Sequence, residues 1–513
     1  MSSRSVPIRS IIIYAAILAA AVAAFLLIRS YGEQLVPPMS GVRAEPGSGV
    51  RPATSPLFHV LLAMAAVILA GRVLGRALTA IHQPPVVGEV VAGILLGPSL
   101  LGRLSPAAFA YVLPGSAAPL LNAVAQLGVI LYMFIVGLEL NLDRLRQRVE
   151  STILTSHASI VAPFVLGSLL SLYLYPRLAT AGVPFTSFAL FIGVAMSITA
   201  FPVLARILAD RRMTASELGT VALTCAAVDD VTAWCLLAVV VGVAQATLRS
   251  AAVVAISTLA FITFMVTLVR PAMTHVAIRQ SRREEYSRKA PDIGPGRAAD
   301  AADTSGAAPG MAGLMASGRL IPGVDALPAA RGGGRERAAA ANGEVIALTL
   351  AGMLLSALMT EWIGVHAIFG AFLFGAVIPH DSAVARTLSD KLKDLVTILL
   401  LPAFFAFAGM RTRLDLVAGP SEWFVCALII AVATLGKFGG SFAAARFTGM
   451  PMREAAGLGI LMNTRGLMEL IVLNIGLDLG VISPALFTMM VLMALATTVA
   501  TTPVLERLFP ACR

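Results

Sequence analysis

Two adjacent carboxylates, Asp229 and Asp230, stand in the middle of the apolar stretch 224-TCAAVDDVTAWC-235. A charged side chain at the centre of a bilayer costs about 2.5–3.5 kcal/mol on insertion scales, and an aspartate is too short to reach out to water. Two like charges this close resist being ionised together, whereas an ammonium nearby holds one of them ionised. The other is then poised between a proton and a metal cation. Lys437, in 434-TLGKFGGS-441, is the ammonium available, set deep in a second apolar run. A hard monovalent ion such as Na⁺ takes oxygen ligands. Asp230 is the expected cation and proton ligand, with the hydroxyls of Ser197 and Thr199 and with carbonyls freed from a broken helix. Proton and cation would then exclude one another at a single site.

The remaining intramembrane charges have structural alternatives. Arg465 and Glu469 are spaced i, i+4 and form a core charge pair that positions a helix. Glu89 lies near the end of its span and reads as interfacial. Lys437 is nearer one end of its span and could snorkel instead of pairing.

The elements that must hold these groups are membrane spans. The 513 residues are 58% hydrophobic and only 13% charged, with a mean hydropathy of +0.86. Soluble domains carry about 25% charged residues. Apolar blocks of the length that crosses about 30 Å of hydrocarbon fall at 10–28, 57–79, 86–101, 121–139, 152–175, 187–208, 218–243, 251–270, 344–360, 363–379, 394–409, 422–445, 455–475 and 483–505. The first follows Arg4 and Arg9 and resembles a signal peptide, but no small-x-small cleavage site follows it, so it reads as a retained helix. The net charge of +10 needs no nucleic acid, because loops that stay inside collect Lys and Arg. With the N-terminus inside, inside turns carry Arg72 and Arg76; Arg144, Arg146 and Arg148; Arg206, Arg211 and Arg212; Arg386, Lys391 and Lys393; Arg446 and Arg453; Arg507 and Arg513. The outside turns are poorer in them, the loop at 29–56 excepted. Cys225, Cys235 and Cys426 read as small core residues and Cys512 as incidental.

Five segments follow: 1–56, an extra N-terminal helix with an external loop; 57–270, a first membrane half with the aspartates; 271–343, a disordered cytoplasmic linker rich in Ala, Gly, Pro and Arg; 344–505, a second half with Lys437; and 506–513, a short cytoplasmic tail. Each half holds an interrupted span, 195-AMSITAFPVLARIL-208 and 459-GILMNTRGLMELIVL-473. Pro202 lacks an N–H, and its ring displaces the carbonyl of Ile198 from the helical ladder. Such a group is tolerated at membrane depth where protein or a wet cavity receives it. Asn463, Thr464 and Gly466 break the second span. Corresponding breaks in two halves point to an inverted-repeat transporter. A proline kink satisfied by neighbouring hydroxyls is the plainer alternative for Pro202. No ATP-binding motif is present. A pH unit supplies about 1.4 kcal/mol per proton and 100 mV about 2.3 kcal/mol per charge, enough for secondary transport.

The stretches PPVVGEVVAGILLGPSLLG (84–102), FIVGLEL (134–140), AMSITAFPVLARIL (195–208), AAVDDVTAW (226–234), HAIFGAFLFGAVIP (366–379), LPAFFAFAGMRT (401–412), GKFGGS (436–441) and NTRGLMELIVLNIGL (463–477) together resemble the monovalent cation:proton antiporter family, second branch. That branch holds bacterial Na⁺/H⁺ and K⁺/H⁺ exchangers and yeast and plant cation/H⁺ exchangers. The resemblance runs from about 57 to 505 in order, the linker apart. It implies an all-α inverted-repeat antiporter fold of thirteen core spans, with a core domain built on two crossing broken helices and a dimerisation domain. It also implies a homodimer in the bacterial inner membrane; the charge asymmetry sets the C-terminus on the cytoplasmic side. The family's carboxylate pair falls on Asp229 and Asp230, the second being the main carrier and the first contacting the ion or pairing with lysine. The family's lysine falls on Lys437, where it resembles the salt-bridge partner of Asp229, and the broken helices fall around Pro202 and Asn463. Alternating access would be elevator-like. Paired aspartates are associated in the family with electrogenic exchange of two protons per cation.

Na⁺ or K⁺ and H⁺ are the expected cargo, and no cofactor is expected. Three features depart from the family pattern: the extra first helix, a linker between the halves, and a chain that ends at Arg513 with no GxGxxG-bearing nucleotide-binding domain. A cation channel using the same aspartates, and a pH or cation sensor signalling through the linker, are the alternative functions. A bile-acid-type symporter shares the architecture, but the charge set suits bare cations better than an organic anion.

Overall fold

The computed structural model describes residues 8–35, 56–81, 83–139, 149–214, 216–244, 248–289 and 333–510. Each of the fourteen apolar blocks overlaps one or more helices, several of them broken by non-helical residues, and seventeen principal helices carry them. In chain order these are α1 (Ile8–Gly32), α2 (Pro56–Ala80), α3 (Pro85–Leu96), α4 (Ala118–Glu139), α5 (Val149–Leu178), α6 (Phe185–Ser197), α7 (Phe201–Asp210), α8 (Glu217–Ala244) and α9 (Leu248–Phe264). The second half adds α10 (Gly333–Ile363), α11 (Ala367–Val377), α12 (Ala383–Leu395), α13 (Leu401–Met410), α14 (Pro420–Phe447), α15 (Met452–Met462), α16 (Leu467–Asp478) and α17 (Pro484–Leu508). Local chemistry sets several starts. Pro85, Pro420 and Pro484 open their helices, where a missing N–H costs nothing. The Ser382 and Ser483 hydroxyls accept hydrogen bonds from Ala385 N and Leu486 N.

Among the described residues, nine helices are long and apolar enough to cross a membrane, or ten when α15 and α16, bent by 40° at their junction, count as one span. α6 and α11 are shorter apolar helices. The sixth expected block, 187–208, is therefore two helices, because Ile198 and Ala200 leave helical geometry. This is an integral membrane protein. Leu57, Leu61, Leu69 and Val73 on α2, and Leu348, Leu355, Leu358 and Trp362 on α10, are exposed on its outer surface, where acyl chains would cover them.

The stretch expected as a disordered linker differs in part. Helix continues from α9 through a π-helical turn, Met265–Val269, into Arg270–Lys289, and α10 begins at Gly333, ahead of the expected span. The physical reason is composition: 277-AIRQSRREEYSRK-289 is made mostly of good helix formers and holds no Gly or Pro. The rest of the linker, 290–332, lies outside the described residues, as do the 36–55 loop and the tail residues 511–513. Cys225 and Cys426 are buried as expected; the surroundings of Cys235 and Cys512 also lie outside the description.

The helices sort into two packed assemblies. In one, α3 packs on α2 and α13, and α4 packs on α11 and α13, with α10 against α11. In the other, α5 packs on α6, α8 and α14, while α15 and α17 pack on α14 and on each other. α1 lies along α5 and α6. The buried charges gather in the second assembly.

Candidate functional site

Consecutive residues point about 100° apart around a helix, so Asp229 and Asp230 on α8 face different surroundings. Asp229 is fully buried and saturated. Ser156 Oγ donates to its Oδ1 at 2.7 Å, and Ser159 Oγ lies 2.7 Å from both its Oδ2 and the Ser156 carbonyl, with one proton for the two. Lys437 Nζ sits 2.9 Å from Oδ2, with both side chains 0% exposed. Thr199 Oγ1 lies 3.0 Å from the same oxygen and 3.2 Å from the Met462 carbonyl, and its single proton serves one of them at a time. Lys437 spends its other two protons on the carbonyls of Ser159, at 3.0 Å, and Ser197, at 2.5 Å. Each ammonium proton thus has an acceptor.

The approach that allows this is made by glycines. Gly436 and Gly440 flank Lys437 at small-xxx-small spacing, which lets two helix backbones close on each other. A Cβ at Gly436 would lie 2.7 Å from Pro163 Cα, and one at Gly440 would lie 2.6 Å from the Ala158 carbonyl oxygen, both on α5. Gly439 faces open space. Gly436→Val is expected to lower stability by about 1–3 kcal/mol through overpacking, since backbone cannot swing aside. Gly439→Ala, with room for its methyl group and a better helix former, should hold or slightly raise stability. Thermal unfolding in detergent, followed by tryptophan fluorescence, compares the two; equal midpoints would remove the close-approach argument.

The two chain breaks meet beside this cluster. Ala200 N–H donates to the Thr464 carbonyl at 2.9 Å. Pro202 lies in the first turn of α7, where its lack of an N–H is harmless. The last carbonyls of α6 have no intrahelical partner, and a helix C-terminus carries partial negative charge. Arg465 Nη1 and Nη2 donate to the carbonyls of Ala195, at 3.1 Å, and Met196, at 2.7 Å, and Lys437 takes the next one, Ser197. Arg465 also pairs with Glu469 at 2.7 Å, both fully buried. Asn463 ends α15, and its Oδ1 has no partner among the described residues. A Cβ at Gly466 would meet Val203 Cγ2 of α7 at 2.8 Å. Ser197 Oγ donates to the carbonyl of Gly193 or Ile160. Among the described contacts, the hydroxyls of Ser197 and Thr199 therefore reach backbone and Asp229, and neither reaches Asp230.

Asp230 stands apart. It is 4% exposed, and its Oδ1 has no partner. It lines an open cavity of about 1300 Å³ that lies between the two helix assemblies. Tyr132, Glu89, Phe372 and Phe405 come from one wall, and Thr220, Thr224, Ala227 and Leu467 from the other. Arg72, Arg206 and Lys393, all assigned by sequence to inside turns, also line it. Asp230 also borders a small, mostly apolar pocket of about 10 Å³, with Ile198, Met468 and Val472. One aspartate is locked into the protein, and the other lines the open cavity.

The sequence model for the sodium/hydrogen exchanger transmembrane region matches residues 60–291 and 336–509. The Na⁺/H⁺ antiporter NhaS4 of Synechocystis is 40% identical over 460 residues, spanning 89% of this chain and 99% of that protein. The chain belongs to the sodium/hydrogen exchanger family. Its family relatives include cation/H⁺ antiporter 20 of Arabidopsis thaliana, 35% identical over 91% of this chain, and K⁺/H⁺ antiporter 1 of Saccharomyces cerevisiae, 30% identical over 90%. The chain spans 51% and 48% of those two proteins, about half their length. The exchanger fold is also seen in the sodium proton antiporter MjNhaP1 of Methanocaldococcus jannaschii, with a TM-score of 0.57, 12% identity, and coverage of 88% of this chain and 97% of that one.

Reading the sequence missed Ser156, Ser159 and the Thr220–Thr224 stripe of this family member. The available signals were the i, i+3 serines of 156-SHAS-159 on an apolar helix and a Thr-x3-Thr pair that shares one face of the helix carrying Asp230. Glu89, read as interfacial, lines the cavity.

Proposed function

We propose that this chain is a secondary antiporter that exchanges Na⁺ or K⁺ for protons at Asp230. The observation that carries the reading is the asymmetry of the pair: Asp229 is held by hydroxyls and Lys437, whereas Asp230 is unpartnered at the end of an open cavity. The Asp229–Lys437 pair cancels locally, so Asp229 does not compete with its neighbour for the cargo. Asp230 then holds a proton or a cation, and each displaces the other. The activities for which the relatives are named, Na⁺/H⁺, cation/H⁺ and K⁺/H⁺ antiport, support the same exchange.

In this reading thirteen spans and an added N-terminal helix form the molecule. The assembly built on α5, α6, α8, α14, α15 and α17 is the moving core, with crossing broken helices at 198–200 and 463–466. The assembly around α3, α4, α11 and α13 is the dimerisation domain of a homodimer in the plasma membrane. The cavity is the cytoplasmic entrance, and elevator-like displacement of the core carries Asp230 to the other side. Exchange is electrogenic, two protons per cation. The segments 57–270 and 344–505 are the two repeats, joined by the linker.

Proton flux in proteoliposomes, followed by a pH-sensitive dye while Na⁺, K⁺ or Li⁺ is added outside, tests the proposal. The expected result is cation-dependent proton movement, accelerated or slowed by an imposed membrane potential. Cation current with no obligatory opposite proton flux would identify a channel instead.

A further inference from the structure

We propose that Glu89 is a further cation-handling residue of this exchange: it stages a hydrated monovalent cation on the cavity wall before the ion passes to Asp230. The inference rests on the transport reading above. The acidic and basic side chains lining the cavity are Arg72, Glu89, Glu139, Arg206, Lys393 and Asp230, with the Tyr132 phenol beside them. Lys393 pairs with Glu139 at 2.9 Å, so those two cancel locally. Arg206 is engaged in an interaction of its own. Glu89 and Asp230 are the cavity carboxylates that make no hydrogen bond or ion pair among the described residues. They belong to different walls, Glu89 to α3 and Asp230 to α8.

An unpaired carboxylate on a low-dielectric wall raises the local concentration of cations and the rate at which they arrive. It lacks the ring of oxygens needed to strip an ion of its water, so it holds the ion without trapping it. Arg72, on the neighbouring α2, acts on Glu89 through space without forming an ion pair. Its charge opposes the recruitment and sets how strong it is. Thr220 and Thr224, a turn apart on α8, supply hydroxyls along the way to Asp230. Glu89 thus acts on the capture of the cation, whereas Asp230 acts on its exchange.

The test is cation-dependent proton flux in vesicles of both orientations containing the full chain, with Na⁺ and K⁺ as probes. Glu89→Gln is expected to raise KM on the cavity face on the order of 3- to 10-fold, with the rate at saturating cation held and KM on the opposite face unmoved. Choline chloride should shrink the difference, since screening weakens a through-space attraction. Glu89→Asp should restore most of the affinity. Arg72→Gln should lower KM on the same face, a direction that misfolding does not produce. The proposal is overturned if KM stays put in Glu89→Gln and in Arg72→Gln, or if it changes equally on both faces, or if the saturated rate falls at constant KM. Wild-type vesicles that show no cation-dependent flux would remove the transport reading itself, and this inference with it.

Discussion

Asp230→Asn should reduce cation-dependent proton flux to the level of protein-free liposomes while leaving the protein folded. The amide keeps the shape of the side chain but cannot take up and release a proton, and it offers no charge to a cation. Structural damage should be slight because Asp230 makes no hydrogen bond or ion pair among the described residues and its Oδ1 is already unpartnered. Paired measurements of flux and of the unfolding midpoint in detergent separate the two effects. Exchange that persists at the wild-type rate in a folded Asp230→Asn variant would move the site elsewhere.

Lys437→Ala is expected to do the reverse and act first on stability. It strips the buried Asp229 carboxylate of its cation and leaves the carbonyls of Ser159 and Ser197 without their donor. Removing one partner of a buried pair costs about 3–5 kcal/mol, largely because the other charge stays behind uncompensated. Asp229→Asn in the same chain should recover a large part of that loss, since one of the Ser156 and Ser159 hydroxyls can donate to the amide oxygen while the other accepts from the amide NH2. Thermal unfolding of wild type, both single variants and the double variant closes this cycle. Additive losses would mean that the contact between Lys437 and Asp229 contributes no coupling. In flux assays the double variant should retain cation-dependent exchange with altered voltage dependence, because Asp230 keeps its access to the cavity.

The groups that could do chemistry were legible because charge inside hydrocarbon is costly and therefore rare. Asp229, Asp230, Lys437, Arg465 and Glu469 all stood out against apolar neighbours, and the structure buries each of them. The breaks were legible as well, from Pro202 and from 463-NTRG-466. What a one-dimensional reading lacked was direction. Nothing in the residues alone tells which aspartate turns toward Lys437; that depends on how α8 is rotated against α5 and α14. Ser156 and Ser159 were passed over because serines in apolar helices usually satisfy their own backbone, as Ser171 does on Gly167. Arg465 was read as half of a local pair, which it is, but its two contacts on α6 join residues 269 and 270 positions apart. Helix over 270–289 was missed for a different reason: its charged composition resembles that of a linker, although its propensities favour helix.

The capping of α6 bears on how the protein is made. Its carbonyls at 195–197 are satisfied by side chains that leave the ribosome 240 to 270 residues later. Until residues 437 and 465 have been inserted, bare carbonyl oxygens at that depth have no partner within the nascent half, and the hydrocarbon supplies none. Biogenesis must therefore keep the end of α6 hydrated, or sheltered by another protein, while the second half is synthesised. The first half is then a dependent fragment, completed only when the two late-arriving cations dock on it.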